Sequence, residues 1–274
     1  MKNYTDNEIL ELICSAEREA AELILQAKHV ISESKSSGRD IVTQYDRKVQ
    51  ELLVERFSSA VEGARFFCEE NDEQDELNAE HVFIIDPIDG TMNYARGVGI
   101  SAISVALVRQ GDPLLGVVYD PYRKEMFWAQ KGMGAWCNGK PIRTSCASFA
   151  ESLFCVAWST YNKSYAPQCL AVTEEVYAQC NDFRRFGSCA LEVCYLAAGR
   201  CDLFFEFRIS PWDWAAAGRI LMEAGGVITG FEDCLPPHDR TTMLMAANNR
   251  SNYEQLRQIV LKHVPELPYK EILL

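Results

Sequence analysis

Residues 82–94, VFIIDPIDGTMNY, decide how the rest of the chain is organised. The apolar run at the start of this stretch predicts a buried strand. We expect Asp86 to end the strand, because Pro87 cannot donate a hydrogen bond to a neighbouring strand. Asp89 and Gly90 are residues that tight turns prefer. A carboxylate at the strand end and a second one three residues later can therefore converge on one point across the proline.

The oxygen atoms of this turn suit a hard divalent cation. Asp86, Asp89 and the carbonyl group of Ile88 offer three oxygen ligands, which fit Mg²⁺ or Mn²⁺ better than zinc. Taken alone, the residues also fit a plain strand followed by an Asp-Gly turn. Phosphatases with an aspartyl nucleophile leave one residue between their two acids, and here two intervene. An EF-hand loop is excluded, because counting from Asp86 puts Ile88 at the third position and Gly97 at the twelfth.

Length and composition predict a soluble globular protein. The chain has 274 residues, of which 48% are hydrophobic, enough for a sizeable core. The sequence shows no uncharged apolar run of membrane-spanning length and does not open like a signal peptide, so we expect a cytoplasmic protein without membrane contact. The 11 cysteines include no Cys-x-x-Cys pair, which argues against zinc ribbons and a disulfide framework. A net charge of −12 disfavours nucleic acid as a partner.

The first half of the chain predicts two helices and an antiparallel sheet. A helical stripe runs from about residue 7 to residue 32, and Asp46 stands where the N-cap of a second helix is expected. Glu70 follows a short apolar arm, as Asp86 follows its strand, so adjacent strand ends could bring these two acids together. The strands that complete the sheet are expected at 100–108, 114–119 and 126–129. No linker follows, and we expect one unit, 1–274, with packed halves 1–147 and 148–274.

The second half alternates between strands and helices, which is typical of an α/β arrangement. Strands are expected at 153–158, 183–186, 203–207 and 243–247, with helices at 163–180, 188–198, 213–224 and 252–264. Gly187, Ser188 and Cys189 open a helix whose backbone N–H groups could bind an anion. Glu206 ends an apolar run, and Asp213 lies at the start of a helix.

Three motifs resemble the signatures of one enzyme family. They are CEE at 68–70, DPIDGTMNY at 86–94 and WDWAAAGRILMEAGG at 212–226. Together they resemble the inositol monophosphatase family, lithium-sensitive and Mg²⁺-dependent phosphomonoesterases. The resemblance covers essentially the whole chain, and it implies an αβαβα sandwich and a homodimer.

The resemblance also implies roles for individual residues. The cation ligands, for two or three Mg²⁺ ions with Mn²⁺ as an alternative, would be Glu70, Asp86, the Ile88 carbonyl, Asp89 and Asp213. Asp46 and Thr91 match the pair that orients and deprotonates the attacking water, and Glu70 counts with them as catalytic. The residues expected to contact substrate are Gly90, Thr91, Gly187, Ser188, Cys189, Glu206 and Asp213. Lys35 matches a family lysine near the metal site.

The implied activity is hydrolysis of a phosphorylated polyol or sugar by metal-activated water, with inositol 1-phosphate as the leading substrate. Fructose 1,6-bisphosphate, NADP and adenosine phosphates remain alternatives within the superfamily. Outside it, the alternative is a non-enzymatic metal-binding or interaction protein. The sequence departs from the family at Cys68, where Gly is usual, and at Cys189, where Ala is common. Neither departure removes a predicted ligand.

Overall fold

Two long helices pack side by side on one face of a large sheet. The computed structural model describes residues 4–27, 30–34, 41–71, 73–158 and 162–267, so Lys35 lies outside the described residues. Helix α1 is Asp6–Leu25 and α2 is Gln44–Ala60, preceded by the paired short strands β1, Ser32–Ser34, and β2, Ile41–Thr43. Apolar side chains of both helices form one buried cluster with the sheet. The first helix is shorter than predicted, and it begins with a capping box between Thr5 and Glu8.

The large sheet holds seven strands in the order in which they occur along the chain. They are β3 (Arg65–Cys68), β4 (Val82–Asp89), β5 (Ala102–Arg109), β6 (Asp112–Asp120), β7 (Glu125–Gln130), β8 (Ala135–Cys137) and β9 (Lys140–Ile142). All neighbours are antiparallel except β3 and β4, which run parallel. The predicted antiparallel sheet is therefore wrong for β3. Its parallel pairing brings the carboxyl ends of β3 and β4 to the same edge of the sheet.

A second sheet of five strands has the order β11-β10-β12-β14-β13. The strands are β10 (Leu153–Ala157), β11 (Asp182–Arg184), β12 (Leu203–Ile209), β13 (Val227–Thr229) and β14 (Thr242–Ala247). Strand β10 pairs in parallel with β11 and with β12, and β14 pairs antiparallel with β12 and with β13. The sequence did not predict β13, a three-residue strand that follows two glycines.

The remaining helices complete five layers. They are α3 (Thr91–Ala95), α4 (Ala166–Tyr177), α5 (Cys189–Ala197), α6 (Pro211–Glu223) and α7 (Arg250–His263). Helices α5 and α6 lie between the two sheets, and α4 and α7 cover the outer face of the second. The predicted αβαβα sandwich is confirmed. No helix in the described ranges has the length and apolar character needed to cross a membrane.

Helix α6 approaches the large sheet very closely. Gly116 on β6 faces it, and a Cβ atom added there would lie 2.3 Å from the carbonyl oxygen of Ala216. Only glycine allows this approach. The run of alanines in α6 therefore packs directly against the large sheet.

Candidate active site

A bulge in β4 places two acids on the same face of the sheet. Asp86 is opposite Ser104 and Asp89 is opposite Ala102, so three steps on β4 match two on β5. Side chains alternate between faces along a strand, and residues three apart would normally point to opposite sides. The extra residue reverses this alternation. Pro87 fits the bulge because it has no N–H to donate, and the strand therefore continues to Asp89 instead of ending at Asp86.

Helix α6 brings a third acid to this face. Asp213 is in the first turn of α6, where its Oδ2 accepts a hydrogen bond of 2.9 Å from the backbone N–H of Ser210. One carboxylate oxygen each from Asp86, Asp89 and Asp213 lies within 4.8 Å of the others. The three predicted acids thus meet, although they come from the two halves of the chain.

A fourth acid, Glu69, acts on the cluster and directly precedes the predicted ligand Glu70. Glu69 donates its backbone N–H to the Ile85 carbonyl at 3.1 Å, which continues the β3–β4 pairing and sets Glu69 beside Asp86. Its charge is the largest coulombic contribution to the raised pKa of both Asp86 and Asp213. The backbone N–H of Glu70 bonds instead to the side chain of Gln50 on α2. Strand β3 itself ends at Cys68, but the bond from Glu69 to Ile85 keeps Glu69 next to β4, so Glu69 replaces Glu70 among the ligands that we propose below.

The cluster is electrostatically poised for a cation. Burial raises the pKa of Asp86 and Asp213 well above the ordinary range, and the neighbouring carboxylates raise both further. Burial also raises the pKa of Asp89 to about 6. Buried carboxylates this close together repel one another unless a positive charge joins them. Hard carboxylate oxygens are the ligands that Mg²⁺ and Mn²⁺ prefer, so the donor set fits these ions.

Asp46 and Thr91 form a hydrogen-bonded pair next to the cluster. The Thr91 hydroxyl lies 3.2 Å from Oδ1 of Asp46 and 3.0 Å from the Ile88 carbonyl oxygen. The N-cap of α2 is Thr43 and not the predicted Asp46. Asp46 is the third residue of the helix, and its carboxylate accepts a hydrogen bond of 2.8 Å from the backbone N–H of Thr43. Burial raises the pKa of Asp46 to about 6, while hydrogen bonds from Thr43 oppose the rise. A carboxylate with this pKa can accept a proton near neutral pH.

The helix start at 187–190 already holds an anion, namely Asp89. The Asp89 carboxylate accepts from the Ser188 hydroxyl at 2.5 Å, from the Ala190 N–H at 2.8 Å and from the Cys189 N–H at 3.3 Å. The predicted anion site at Gly187–Cys189 is thus used within the protein. These bonds orient one ligand of the acidic cluster.

Gly90 lies against the same segment. It has a φ of +90°, and a Cβ atom there would be 3.0 Å from the carbonyl oxygens of Gly187 and Ile100. The turn after Asp89 therefore requires glycine twice, for its backbone angle and for its space. The backbone of Gly90 and Thr91 remains within the site, where the sequence predicts phosphate contacts.

Glu206 is an interior residue of β12, not the end of a strand. It is partly buried and pairs with Ala157 and Leu244 at the start of a register irregularity. Burial and the charge of Asp213 raise the pKa of Glu206 well above the ordinary range. Glu206 also adds to the raised pKa of the Cys189 thiol, after burial. These influences indicate that Glu206 lies near Asp213 and Cys189, and its contact with substrate stays a prediction.

Residues that the sequence reasoning missed support the loop before α5. Asn93 Nδ2 donates to the carbonyl oxygens of Phe186, at 2.7 Å, and Ile100, at 2.9 Å. Glu192 accepts from the Phe186 N–H at 2.6 Å. Asn93 could have been noticed because it belongs to the central motif. Glu192 could have been noticed because it is a charged residue in an otherwise apolar helix.

Comparisons with known proteins agree with the fold and the motifs. The chain is 32% identical over 227 residues to the Nus factor SuhB of Escherichia coli strain K12, which covers 81% of this chain and 85% of that protein. It superposes on the extragenic suppressor protein suhB of Bartonella henselae with a TM-score of 0.85 and 29% identity, over 93% of this chain and 98% of the other. It also superposes on an inositol monophosphatase (IMPase) of Thermotoga maritima with a TM-score of 0.85 and 30% identity, over 95% of this chain and 99% of the other. The model of the inositol monophosphatase family matches residues 5–265, and the chain belongs to that family.

Proposed function

We propose that the chain is a Mg²⁺-dependent phosphomonoester hydrolase for phosphorylated polyols or sugars, with inositol 1-phosphate as its leading substrate. One observation carries the proposal: the Thr91 hydroxyl lies 3.2 Å from a carboxylate oxygen of Asp46, beside the three clustered acids. A protein that only bound a cation would need the acids but not this proton-accepting pair. The cytoplasmic location, the homodimer and the lithium sensitivity that the resemblance implies stay predictions.

The cation ligands in this proposal come from β4, α6 and the end of β3. They are Glu69, Asp86, the Ile88 carbonyl, Asp89 and Asp213. Two or three Mg²⁺ ions, or Mn²⁺ in their place, would balance the charge of the acids. When bound, they supply Lewis-acid polarisation and offset the charge of the phosphate.

The protein groups then have separate tasks. Thr91 and Asp46 orient a water molecule, and Asp46 accepts its proton through the Thr91 hydroxyl. The backbone of Gly90 and Thr91 faces the phosphate oxygens. The polyol lies between residues 187–189 and Glu206, whose carboxylate accepts hydrogen bonds from ring hydroxyl groups.

A non-enzymatic role is the competing hypothesis, because the E. coli relative is named as a Nus factor. The hydrogen-bonded Asp46 and Thr91 favour the enzyme. Fructose 1,6-bisphosphate and NADP are the alternative substrates. They would use the same acids and differ in the pocket around Glu206.

The test is phosphate release from p-nitrophenyl phosphate, with Mg²⁺ and with EDTA, followed by a panel of inositol 1-phosphate, fructose 1,6-bisphosphate and NADP. We expect Mg²⁺-dependent turnover that Asp86→Asn abolishes. Thr91→Val should lower kcat roughly 10²–10⁴-fold, because it removes the hydroxyl that passes the proton to Asp46.

Two matched variants control for general damage. Thr91→Ser keeps the hydroxyl and should retain most activity, and Asp202→Asn alters a buried acid outside the site that accepts from the Leu153 N–H. Turnover that is equal in wild type, Asp86→Asn and Thr91→Val would contradict the proposal. No turnover by wild type on any substrate with Mg²⁺ or Mn²⁺ would favour the non-enzymatic hypothesis.

A further inference from the structure

The segment that precedes α5 is held from two sides. Asn93 Nδ2 lies 2.7 Å from the Phe186 carbonyl oxygen and 3.3 Å from that of Gly187, which fixes the carbonyl side of the segment. Gly187 has a φ of +78°, the left-handed region that favours glycine. The segment is half-buried and leads into the buried residues Ser188–Ala190, so its N–H groups also need partners.

Glu192 supplies those partners. It is fully buried on α5, and its Oε1 accepts from the Phe186 N–H at 2.6 Å; the Gly187 backbone also bonds to this carboxyl group. The second oxygen, Oε2, is buried and makes no hydrogen bond within the described part of the chain. A buried acid that accepts a backbone N–H with one oxygen and leaves the other without a partner is costly for the fold. Its position therefore calls for an explanation beyond packing.

The segment leads directly into the groups that hold Asp89. Ser188, Cys189 and Ala190 follow Gly187, and all three donate to the Asp89 carboxylate. A shift of the backbone at Phe186 or Gly187 moves these donors with it. The carboxylate of Asp89 would then turn away from Asp86 and Asp213.

We propose that Glu192 is a positioning residue for the cation site: it fixes residues 186–187, and through Ser188–Ala190 it sets the orientation of the Asp89 carboxylate. This inference rests on the proposed role of Asp89 as a cation ligand. Groups that orient a ligand in this way are typically needed for full metal affinity.

The protonation of Glu192 is consistent with this role. Burial raises the pKa of Glu192 to about 8, so the group is largely neutral at pH 7. A neutral carboxyl keeps an acceptor oxygen for the Phe186 N–H and adds no further negative charge next to Asp89. A glutamine side chain has the same acceptor and the same shape.

The test compares Glu192→Met, which removes the acceptor, with Glu192→Gln, which keeps it. Mn²⁺ binding is measured without substrate, from the electron paramagnetic resonance signal of free Mn²⁺. We expect Glu192→Met to weaken Mn²⁺ binding about 10–100-fold, whereas Glu192→Gln stays within about threefold of wild type. Glu192→Asp withdraws the carboxyl by one methylene group and should resemble Glu192→Met, which keeps the test decisive if Glu192→Met does not fold.

Asp202→Leu serves as the matched control. Asp202 is also buried and accepts a backbone N–H, that of Leu153, at 2.8 Å, but it lies outside the acidic cluster. We expect it to lower the melting temperature and leave Mn²⁺ affinity unchanged. Wild-type Mn²⁺ affinity in folded Glu192→Met or Glu192→Asp would overturn the inference, as would equal losses in Glu192→Gln and Glu192→Met. If wild type binds Mn²⁺ but hydrolyses no phosphomonoester, the proposed function fails while the Mn²⁺ comparison still decides the role of Glu192.

Discussion

Asp46 serves the helix and the site with different oxygen atoms. Its Oδ2 accepts from the Thr43 backbone and hydroxyl at the start of α2, and its Oδ1 faces Thr91. The hydrogen bonds from Thr43 fix the carboxylate rotamer, so the atom that would receive the proton in the proposed reaction is held by the fold. An acid at the third position of a helix also interacts favourably with the helix dipole. Replacing Asp46 would therefore disturb stability and chemistry together, which makes Thr91 the cleaner place for a substitution.

At the residue scale, the choice between Glu69 and Glu70 shows what sequence reasoning can resolve. The motif 68–70 was found from the sequence, and Glu70 was predicted to be its ligand. The alternation of β3 decides between them, because Phe67 faces α6 and Glu69 has the same parity. Residues 66–68 are all apolar, so the sequence alone could not show which of the two acids shares the face of Phe67.

Glu206 gives a test of substrate class. Glu206→Gln keeps the size of the side chain and removes the charge that would hold ring hydroxyl groups. Loss of a hydrogen bond to a charged group costs about 1.5–3 kcal/mol, so kcat/KM for inositol 1-phosphate should fall roughly 10–100-fold. Hydrolysis of p-nitrophenyl phosphate, which has no ring hydroxyls, should change little. The measurement is the ratio of the two losses.

Glu223→Gln is the control for this ratio. Glu223 ends α6, far along the helix from Asp213, and accepts from the N–H groups of Gly132 and Gly134. It should leave both substrates unaffected. Equal losses for the two substrates in Glu206→Gln would show that Glu206 does not read hydroxyl groups.

At the scale of elements, the bulge in β4 is the feature that the sequence could not supply. The sequence predicted the strand, and it predicted that Asp86 and Asp89 converge across Pro87. The pairing with β5, which supplies two residues against three, was not visible because it depends on a partner strand. The same limit applies to the parallel direction of β3. Local residue types predict elements, whereas partner and direction follow from tertiary packing.

Helix α1 contains an acid that should weaken the protein at high pH. Glu17 is fully buried, and neither of its carboxylate oxygens has a hydrogen bond within the described residues. Burial raises its pKa well above the ordinary value of 4.5. The folded protein therefore binds this proton more tightly than the unfolded chain. This contribution to stability is fully present below pH ~4.5 and is lost as the pH rises through the raised pKa.

We expect Glu17→Met to raise the free energy of unfolding by about 1–3 kcal/mol at pH 8, because it removes an unpaired buried polar group. The gain should shrink at pH 5, where Glu17 is protonated. Urea unfolding at both pH values measures the difference. Glu17→Gln keeps a polar side chain that cannot ionise, so it separates the effect of the charge from that of polarity. Its free energy of unfolding relative to wild type should also be higher at pH 8 than at pH 5. A gain that is independent of pH in both variants would contradict the assignment.

At the scale of the whole molecule, the acidic cluster couples cation binding to stability. Asp86 and Asp89 belong to the large sheet, whereas Asp213 belongs to the second half of the chain. A cation bound to all three would stabilise the folded state, because the unfolded chain does not bring these acids together. At a Mg²⁺ concentration of 100 times Kd, the gain of about 2.7 kcal/mol should raise Tm on the order of 5–10 °C.

Asp213→Asn provides the contrast. In EDTA this variant should melt at or above the wild-type temperature, since one of several mutually repelling carboxylates is gone. In Mg²⁺ it should melt below wild type. Calorimetry in both buffers measures whether the order of the two melting temperatures reverses. If Mg²⁺ raises the Tm of Asp213→Asn as much as that of wild type, the ion binds elsewhere.

The contact between Gly116 and Ala216 has a consequence for how the molecule can move. With a strand and a helix backbone this close, α6 can neither roll nor slide on the large sheet without a collision of main-chain atoms. Hinge closure between the two halves, a common way for enzymes to enclose a substrate, would require this contact to open. We therefore expect the two halves to keep their relative orientation when a ligand binds at the acidic cluster, so that any movement that admits it is confined to surface connections.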